Sequence, residues 1–245
     1  MTQPMTLLMT RPYAASVRFV GLLPGAVRAQ VDVCYAPLIR ITALVDQIAL
    51  ADVGALIFTS TNAVELASAR IPSQTLPVYC VGATTTQAAK NAGWTAQFAG
   101  ATADALIETL TTLQPSGPML HLCGIHTRGA IPERLTSAGI QTTSLAIYEQ
   151  IAEPLSQQGI AVLRGSHPVI APLFSPRTAR HFANQTTIQA PIWLAALSKE
   201  VAKPLKPLVY QKILICDQPD SAAMCRAIEN LVNTAARVET DPSAK

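Results

Sequence analysis

Charge is what this chain has least of. Asp, Glu, Lys and Arg together make up 13% of its 245 residues, against roughly 25% in an ordinary soluble domain. Aromatic residues are scarce too, at 5%, while 49% of the chain is apolar, a balance that excludes a disordered or collagen-like protein. Lys and Arg number 18 against 15 acidic residues, a net +3 with no clustering. That excludes the basic stripe of a nucleic-acid binder and suits a small acidic ligand. Every apolar stretch is broken by Pro, Gly, Asp or Arg well short of the ~18 residues a membrane span needs, so no contact with a membrane is expected. Residues 1–10 lack a basic leader region and run into Arg11-Pro12, which is not the layout of a secretory signal. A cytoplasmic location is expected.

Other absences narrow the chemistry. The five cysteines are an odd set without a Cys-x-x-Cys pair, so reduced thiols filling a core are expected rather than a disulfide framework. His121, Cys123 and His126 form the one metal-like group, but no second ligand pair stands at a zinc-site spacing. They are read as two strand side chains and a loop histidine, with no metal. There is no Gly-x-Gly-x-x-Gly after a strand, no Walker loop, no acid at the ribose-binding distance and no Gly-x-Ser-x-Gly elbow. Nucleotide and serine-hydrolase chemistry are therefore poorly supported.

What is present is rhythm. Short apolar runs at 6–9, 31–34, 55–58, 78–81, 119–122, 143–147, 169–174, 192–197 and 212–216 alternate with amphipathic stretches, the pattern of a parallel α/β sheet. Pro12 is expected at a first helical position, and Gly93 and Gly139 just beyond helix ends. The pattern also repeats. Phe58-Thr59-Ser60-Thr61 and Phe174-Ser175-Pro176 each follow a strand and open a helix, as do Gly82-Ala83-Thr84-Thr85 and Ser198-Lys199-Glu200. Each pair lies about 115 residues apart, a domain-sized spacing rather than a solenoid one. The expected fold class is therefore α/β, with two similar parallel-sheet lobes joined by a two-stranded linker. Residues 1–36 with 152–245 form the first lobe, 42–146 the inserted second, and 37–41 and 147–151 the linkers. The polar tail from Arg237 onward is expected to fray.

In a parallel sheet, the loops after the strands gather on one edge and the helices starting there aim N–H groups at whatever binds. Five such loops carry hydroxyls or small residues, including Thr10-Arg11-Pro12. Each hydroxyl is either an ordinary helix cap or a ligand contact. Taken as a set on two lobes, the loops describe a cleft for a multiply anionic ligand. Tyr148, on the linker beside that cleft, offers a phenol able to donate a proton or is a buried structural tyrosine. Arg128 could meet a carboxylate in fork geometry or pair with Glu133.

The order and spacing of Thr10-Arg11-Pro12, Pro37-Leu38-Ile39, Phe58-Thr59-Ser60-Thr61-Asn62-Ala63, Val81-Gly82-Ala83-Thr84-Thr85, Leu135-Thr136-Ser137-Ala138-Gly139, Ile147-Tyr148 and Phe174-Ser175-Pro176 resemble the uroporphyrinogen-III synthase family. The resemblance implies a first lobe built from both chain ends and a cofactor-free lyase. Such an enzyme closes linear hydroxymethylbilane into uroporphyrinogen III, inverting ring D and losing water. Tyr148, placed on the linker beside the cleft, is the expected catalytic group for that reaction. The strand-end loops give the expected substrate contacts: Thr10, Arg11, Ser60, Thr61, Asn62, Gly82, Thr84, Thr85, Arg128, Ser175, Pro176, Ser198 and Lys199. A monomer is expected, meeting the enzyme that supplies hydroxymethylbilane only transiently. Two positions depart from the family pattern: Cys123, where members often carry Arg, and Ser198-Lys199-Glu200, where a Gly-x-Thr-Thr-like loop is usual. The competing readings are a two-lobed organic-anion-binding protein without catalysis and a nucleotide-sugar transferase.

Overall fold

The computed structural model describes residues 5–71, 75–127, 129–184 and 188–240. Its contacts divide the chain into two compact units, residues 1–40 with 152–245, and residues 41–151. Unit 1 opens with strand β1 (Met5–Met9), helices α1 (Tyr13–Leu22) and α2 (Gly25–Arg28), and strand β2 (Val31–Tyr35). The chain then passes through β3 (Ile39–Ala43) into unit 2, where β4 (Ala55–Phe58), α3 (Thr61–Ser68), β5 (Pro77–Val81), α4 (Ala83–Asn91), β6 (Thr95–Gly100), α5 (Ala103–Leu113), β7 (Met119–Gly124), α6 (Ile131–Ser137) and β8 (Thr142–Ala152) follow. It completes unit 1 with α7 (Gln157–Arg164), β9 (Val169–Leu173), α8 (Pro176–Ala183), β10 (Ile192–Ala196), α9 (Lys199–Ala202), a 3-10 turn at Lys203–Leu205, β11 (Lys212–Ile215) and α10 (Ser221–Thr240).

The sheet of unit 1 has the order β11-β10-β9-β1-β2, and that of unit 2 the order β3-β8-β7-β4-β5-β6. Set side by side, β2, β1, β9, β10 and β11 correspond in turn to β8, β7, β4, β5 and β6. The duplication seen along the chain is thus a duplication of sheets, with β3 added at one edge. Both are doubly wound sheets with a reversal of strand order at their middle, between β1 and β9 in one unit and between β4 and β7 in the other. Ligands in such sheets bind at the carboxyl ends of the strands flanking that reversal.

Strands buried on both faces explain the continuous apolar runs. In β4 all four residues are buried. Leu56 and Phe58 face Val64, Trp94 and Leu122, while Ala55 and Ile57 face Leu106, Leu110 and Leu135 on the other side. Each large side chain so buried contributes about 1.5–3 kcal/mol. The Trp94 ring meets Phe58 edge-on at 5.7 Å, and its Nε1 donates to Ser68 Oγ at 2.8 Å, which fixes α3 on the sheet.

Several local expectations need correcting. Pro12 is the residue before α1, with φ −47° and ψ 139°, rather than its first helical residue; its extended ψ turns the chain out of β1. Of the tail expected to fray from Arg237, residues 237–240 continue α10 and 241–245 lie outside the described residues. Strand β6 arises where no apolar run predicts one, while β3 falls largely on the extended linker expected at 37–41. Gly93 and Gly139 take the left-handed conformation expected of helix ends, with φ 92° and 87°. Among the described residues, no helix is long and apolar enough to cross a membrane.

Candidate functional site

At the strand reversal of unit 2, the loop after β4 runs towards β5 and the loop after β7 leads away towards β8. Between them opens a cavity of about 260 Å³, lined among others by Thr59, Ser60, Cys123, Gly124, His126, Thr127 and Tyr148. Its position follows from the topology, and its chemistry from four side chains.

Ser60 has extended backbone and caps α3, its Oγ accepting from the Ala63 N–H at 3.1 Å. The same Oγ lies 2.9 Å from Tyr148 Oη. Tyr148 arrives from β8, 88 residues along the chain, and is 6% exposed. Its ring lies against Gly124, where the register between β7 and β8 shifts. A Cβ at Gly124 would stand 2.8 Å from both Cε2 and Cζ of that ring. The missing side chain of Gly124 therefore provides the space Tyr148 occupies, and the Ile125 N–H, donating to the Tyr148 carbonyl at 3.0 Å, holds the strands together there.

His121 lies on β7 below the cavity and is 1% exposed. Its Nε2 is 3.1 Å from Thr59 Oγ1, and its Nδ1 has no partner among the described residues. Burial pushes its pKa down to about 4 against a smaller opposing pull from Glu133, so at neutral pH the imidazole is uncharged. Cys123 is buried, its Sγ 3.6 Å from the Leu145 carbonyl, and burial pushes the thiol pKa up. It is a packed thiol rather than a thiolate nucleophile. Among the described residues no three His, Cys, Asp or Glu side chains gather as metal ligands.

The structure brings some of the expected site residues together and separates others. Ser60 and Tyr148 meet across the cavity mouth. Thr61 and Asn62 are the first residues of α3. Gly82 precedes α4 with φ +85°, Thr84 is exposed in the first turn, and Thr85 is buried at 6%. In unit 1, Ser175 caps α8 by accepting from the Thr178 N–H at 3.1 Å, with Pro176 next. Ser198 caps α9, a helix of only four residues beginning at the exposed Lys199. Thr10 and Arg11 follow β1, beside the strand reversal of that unit. Arg128 lies outside the described residues. The sequence reading missed Gly124, which lies under Tyr148, and treated His121 as a plain strand residue. A glycine directly ending a buried strand was the one signal for the former.

Comparison with known proteins bears on this arrangement. A family model described as uroporphyrinogen-III synthase HemD matches residues 25–226. Among solved structures, the uroporphyrinogen-III synthetase of Helicobacter pylori superposes with a TM-score of 0.65 at 16% identity, covering 94% of this chain and 100% of that one. A mutant uroporphyrinogen III synthase of Thermus thermophilus has a TM-score of 0.46 at 14% identity, covering 94% of this chain and 99% of that one. The first likeness shows a shared fold. No curated protein sequence matches the chain.

Proposed function

The chain belongs to the uroporphyrinogen-III synthase family, and from that premise we propose that the unit 2 cavity is where its reaction takes place, with Tyr148 as the proton donor. The family's enzymes close linear hydroxymethylbilane into uroporphyrinogen III without a cofactor. The hydroxymethyl oxygen leaves as water, which takes one proton. The cationic azafulvene left behind is attacked by the substituted carbon of ring D, and the spiro product fragments and recloses with that ring inverted. A carbon-bound proton is released at the end, so the overall loss is one water. A single group that gives a proton early and recovers it late serves both steps.

The observation that carries the proposal is the 2.9 Å contact between Ser60 Oγ and Tyr148 Oη at the cavity. Ser60 Oγ already accepts from a helix N–H, so its own proton is available to donate. Donating to Tyr148 Oη, it leaves the phenol proton directed at the substrate. The positive end of α3 beside it stabilises the phenolate formed when that proton departs. Removing water from the cavity prevents capture of the cation. The remaining strand-end loops, with Thr61, Asn62, Thr84, Thr85, Ser175 and Ser198, offer hydroxyl and N–H donors, and Lys199 an ammonium, to the substrate's carboxylates. We place the enzyme in the cytoplasm as a monomer that meets its supplier of hydroxymethylbilane transiently. Its five cysteines all stand as free thiols, as a reducing compartment allows.

Purified protein incubated with freshly generated hydroxymethylbilane yields isomer III after oxidation and separation; isomer I alone, the product of spontaneous closure, overturns the assignment. Tyr148→Phe lowers turnover about tenfold, less than the 10²–10⁴-fold that general acid catalysis typically supplies, because water and substrate carboxylates also carry protons. Its stability changes by only about 1 kcal/mol, one hydrogen bond's worth. Ser60→Ala reduces turnover in the same direction and, as a lost helix cap, also costs about 1 kcal/mol. Wild-type turnover in Tyr148→Phe would reduce the phenol to packing.

A further inference from the structure

Strand β7 buries one strongly polar side chain among apolar ones. By the alternation of the strand, His121 shares a face with Met119, which packs with Ala55, Ile57 and Leu135, and it pairs in register with Ile57 of β4. The imidazole is buried, yet only its Nε2 has a partner among the described residues, Thr59 Oγ1 at 3.1 Å. A buried nitrogen without a partner weakens the fold, and an apolar side chain would avoid that cost. What the imidazole adds is its bond to Thr59.

The direction of that bond follows from the unpartnered nitrogen. A neutral imidazole carries one N–H. Were it on Nδ1, a donor would be buried with nothing to accept it. Placed on Nε2, the N–H is accepted by Thr59 Oγ1 and only a lone pair is left over, the less costly orphan. With Nε2 donating, the proton of the Thr59 hydroxyl is turned away from the ring. Thr59 is half-buried in the cavity wall, and the cavity is where that proton points. No Asp, Glu, Lys or Arg lines the cavity among the described residues. A carboxylate desolvated there would lack a counter-ion, so an uncharged oxygen is the guest these donors suit.

We propose that Thr59 is a second hydrogen-bond donor to the hydroxymethyl oxygen of the substrate, and that His121 is the positioning residue which turns the Thr59 proton towards it. This rests on the reading that hydroxymethylbilane is closed in this cavity with Tyr148 as the acid, and deepens it. As the C–O bond breaks, its electron pair goes to the oxygen. Tyr148 passes its proton to that oxygen and water leaves. Thr59 keeps its own proton, and its bond strengthens while charge grows on the departing oxygen.

The test is a double-variant cycle on the full-length protein, with kcat and KM measured for hydroxymethylbilane. Thr59→Val keeps the shape of the side chain without its hydroxyl and lowers kcat about tenfold, with a smaller change in KM, because the lost bond is strongest in the transition state. His121→Leu lowers kcat less, about fivefold, since the Thr59 hydroxyl remains but is no longer aimed. His121→Gln, which can present an N–H to Thr59, recovers most of that loss. Thr59→Val combined with His121→Leu is no slower than Thr59→Val alone, because His121 acts only through that hydroxyl, whereas a merely structural histidine gives losses that multiply. Nitrogen NMR of wild-type protein with isotope-labelled histidine, the His121 signals being those absent from His121→Gln, shows the proton on Nε2 and needs no turnover. A proton on Nδ1 overturns the proposal, as do multiplying losses in the double variant. A wild type that makes isomer I alone overturns the parent reading and the role of Thr59 with it; a wild type that makes isomer III no faster than a folded Thr59→Val overturns the role of Thr59 and leaves the parent reading standing.

Discussion

Gly124→Ala removes most of the turnover while unit 2 stays folded. The added Cβ would lie 2.8 Å from two ring carbons of Tyr148 and 3.1 Å from its Oη, closer than carbon atoms pack. Gly124 is not among the positive-φ glycines, so the backbone accepts alanine and the conflict is purely with the ring. The strands beneath are hydrogen-bonded on both sides of the contact, which leaves the ring as the part that moves. It moves away from Ser60, breaking the 2.9 Å contact, and towards a cavity of only about 260 Å³. Overpacking of this kind costs about 1–3 kcal/mol of stability. Misplacing a reacting group by about 1 Å can cost 10²-fold in rate, and the displaced ring also takes up substrate space. The expected fall is therefore about hundredfold, larger than for Tyr148→Phe. Gly21→Ala, on α1 with nothing within 4 Å of the new Cβ, is the matched control and keeps wild-type turnover. Circular dichroism and steady-state kinetics on the two variants decide the matter: Gly124→Ala at wild-type rate would show that the seat of the Tyr148 ring is irrelevant to the chemistry.

The contrast between Ser60 and Tyr148 shows what a single sequence reveals and where it stops. Ser60 was legible because capping is local: a hydroxyl after a buried strand, three residues before the N–H it accepts from, announces itself and repeats at Ser175. Its contact with Tyr148 depends on sheet order, which places β4 and β8 on either side of β7, and no local pattern encodes that order. Strand β6 was missed for a related reason, and β3 was expected only as an extended linker at 37–41. β6 is an edge strand with Thr95, Gln97 and Phe98 exposed, and β3 has exposed Arg40 and Ala43, so neither shows the apolar run that marks a strand buried on both faces. His121 was hidden by the opposite circumstance. β7 is buried on both faces along its whole length, so alternation along it cannot separate a core position from one beneath a cavity.

Acid weakens unit 2 through His121. In the folded state its pKa is lowered from 6.5 to about 4, chiefly by burial, with Glu133 pulling weakly the other way. Unfolding exposes the imidazole, which then takes up a proton near its ordinary pKa. Between these two values the unfolded chain holds more protons than the folded one, so stability rises with pH. The contribution is fully present above about 6.5, declines as pH falls through the window, and is exhausted below about 4. A shift of that size corresponds to roughly 3 kcal/mol, a large share of the 5–15 kcal/mol that holds a domain folded. Because Nε2 is 3.1 Å from Thr59 Oγ1, the first structure strained by protonation is the floor of the cavity. His121→Gln keeps a hydrogen-bonding group near Thr59 and cannot titrate. Trp94 sits in the core of unit 2 and Trp193 in that of unit 1, so in a Trp193→Phe background the remaining fluorescence follows unit 2 alone. Denaturant unfolding of that protein from neutral pH down to about pH 4 should show the midpoint falling steeply with His121 and much less with Gln. Parallel slopes would mean that the imidazole reaches water in the folded state, and that its burial beneath the cavity makes no difference to the fold.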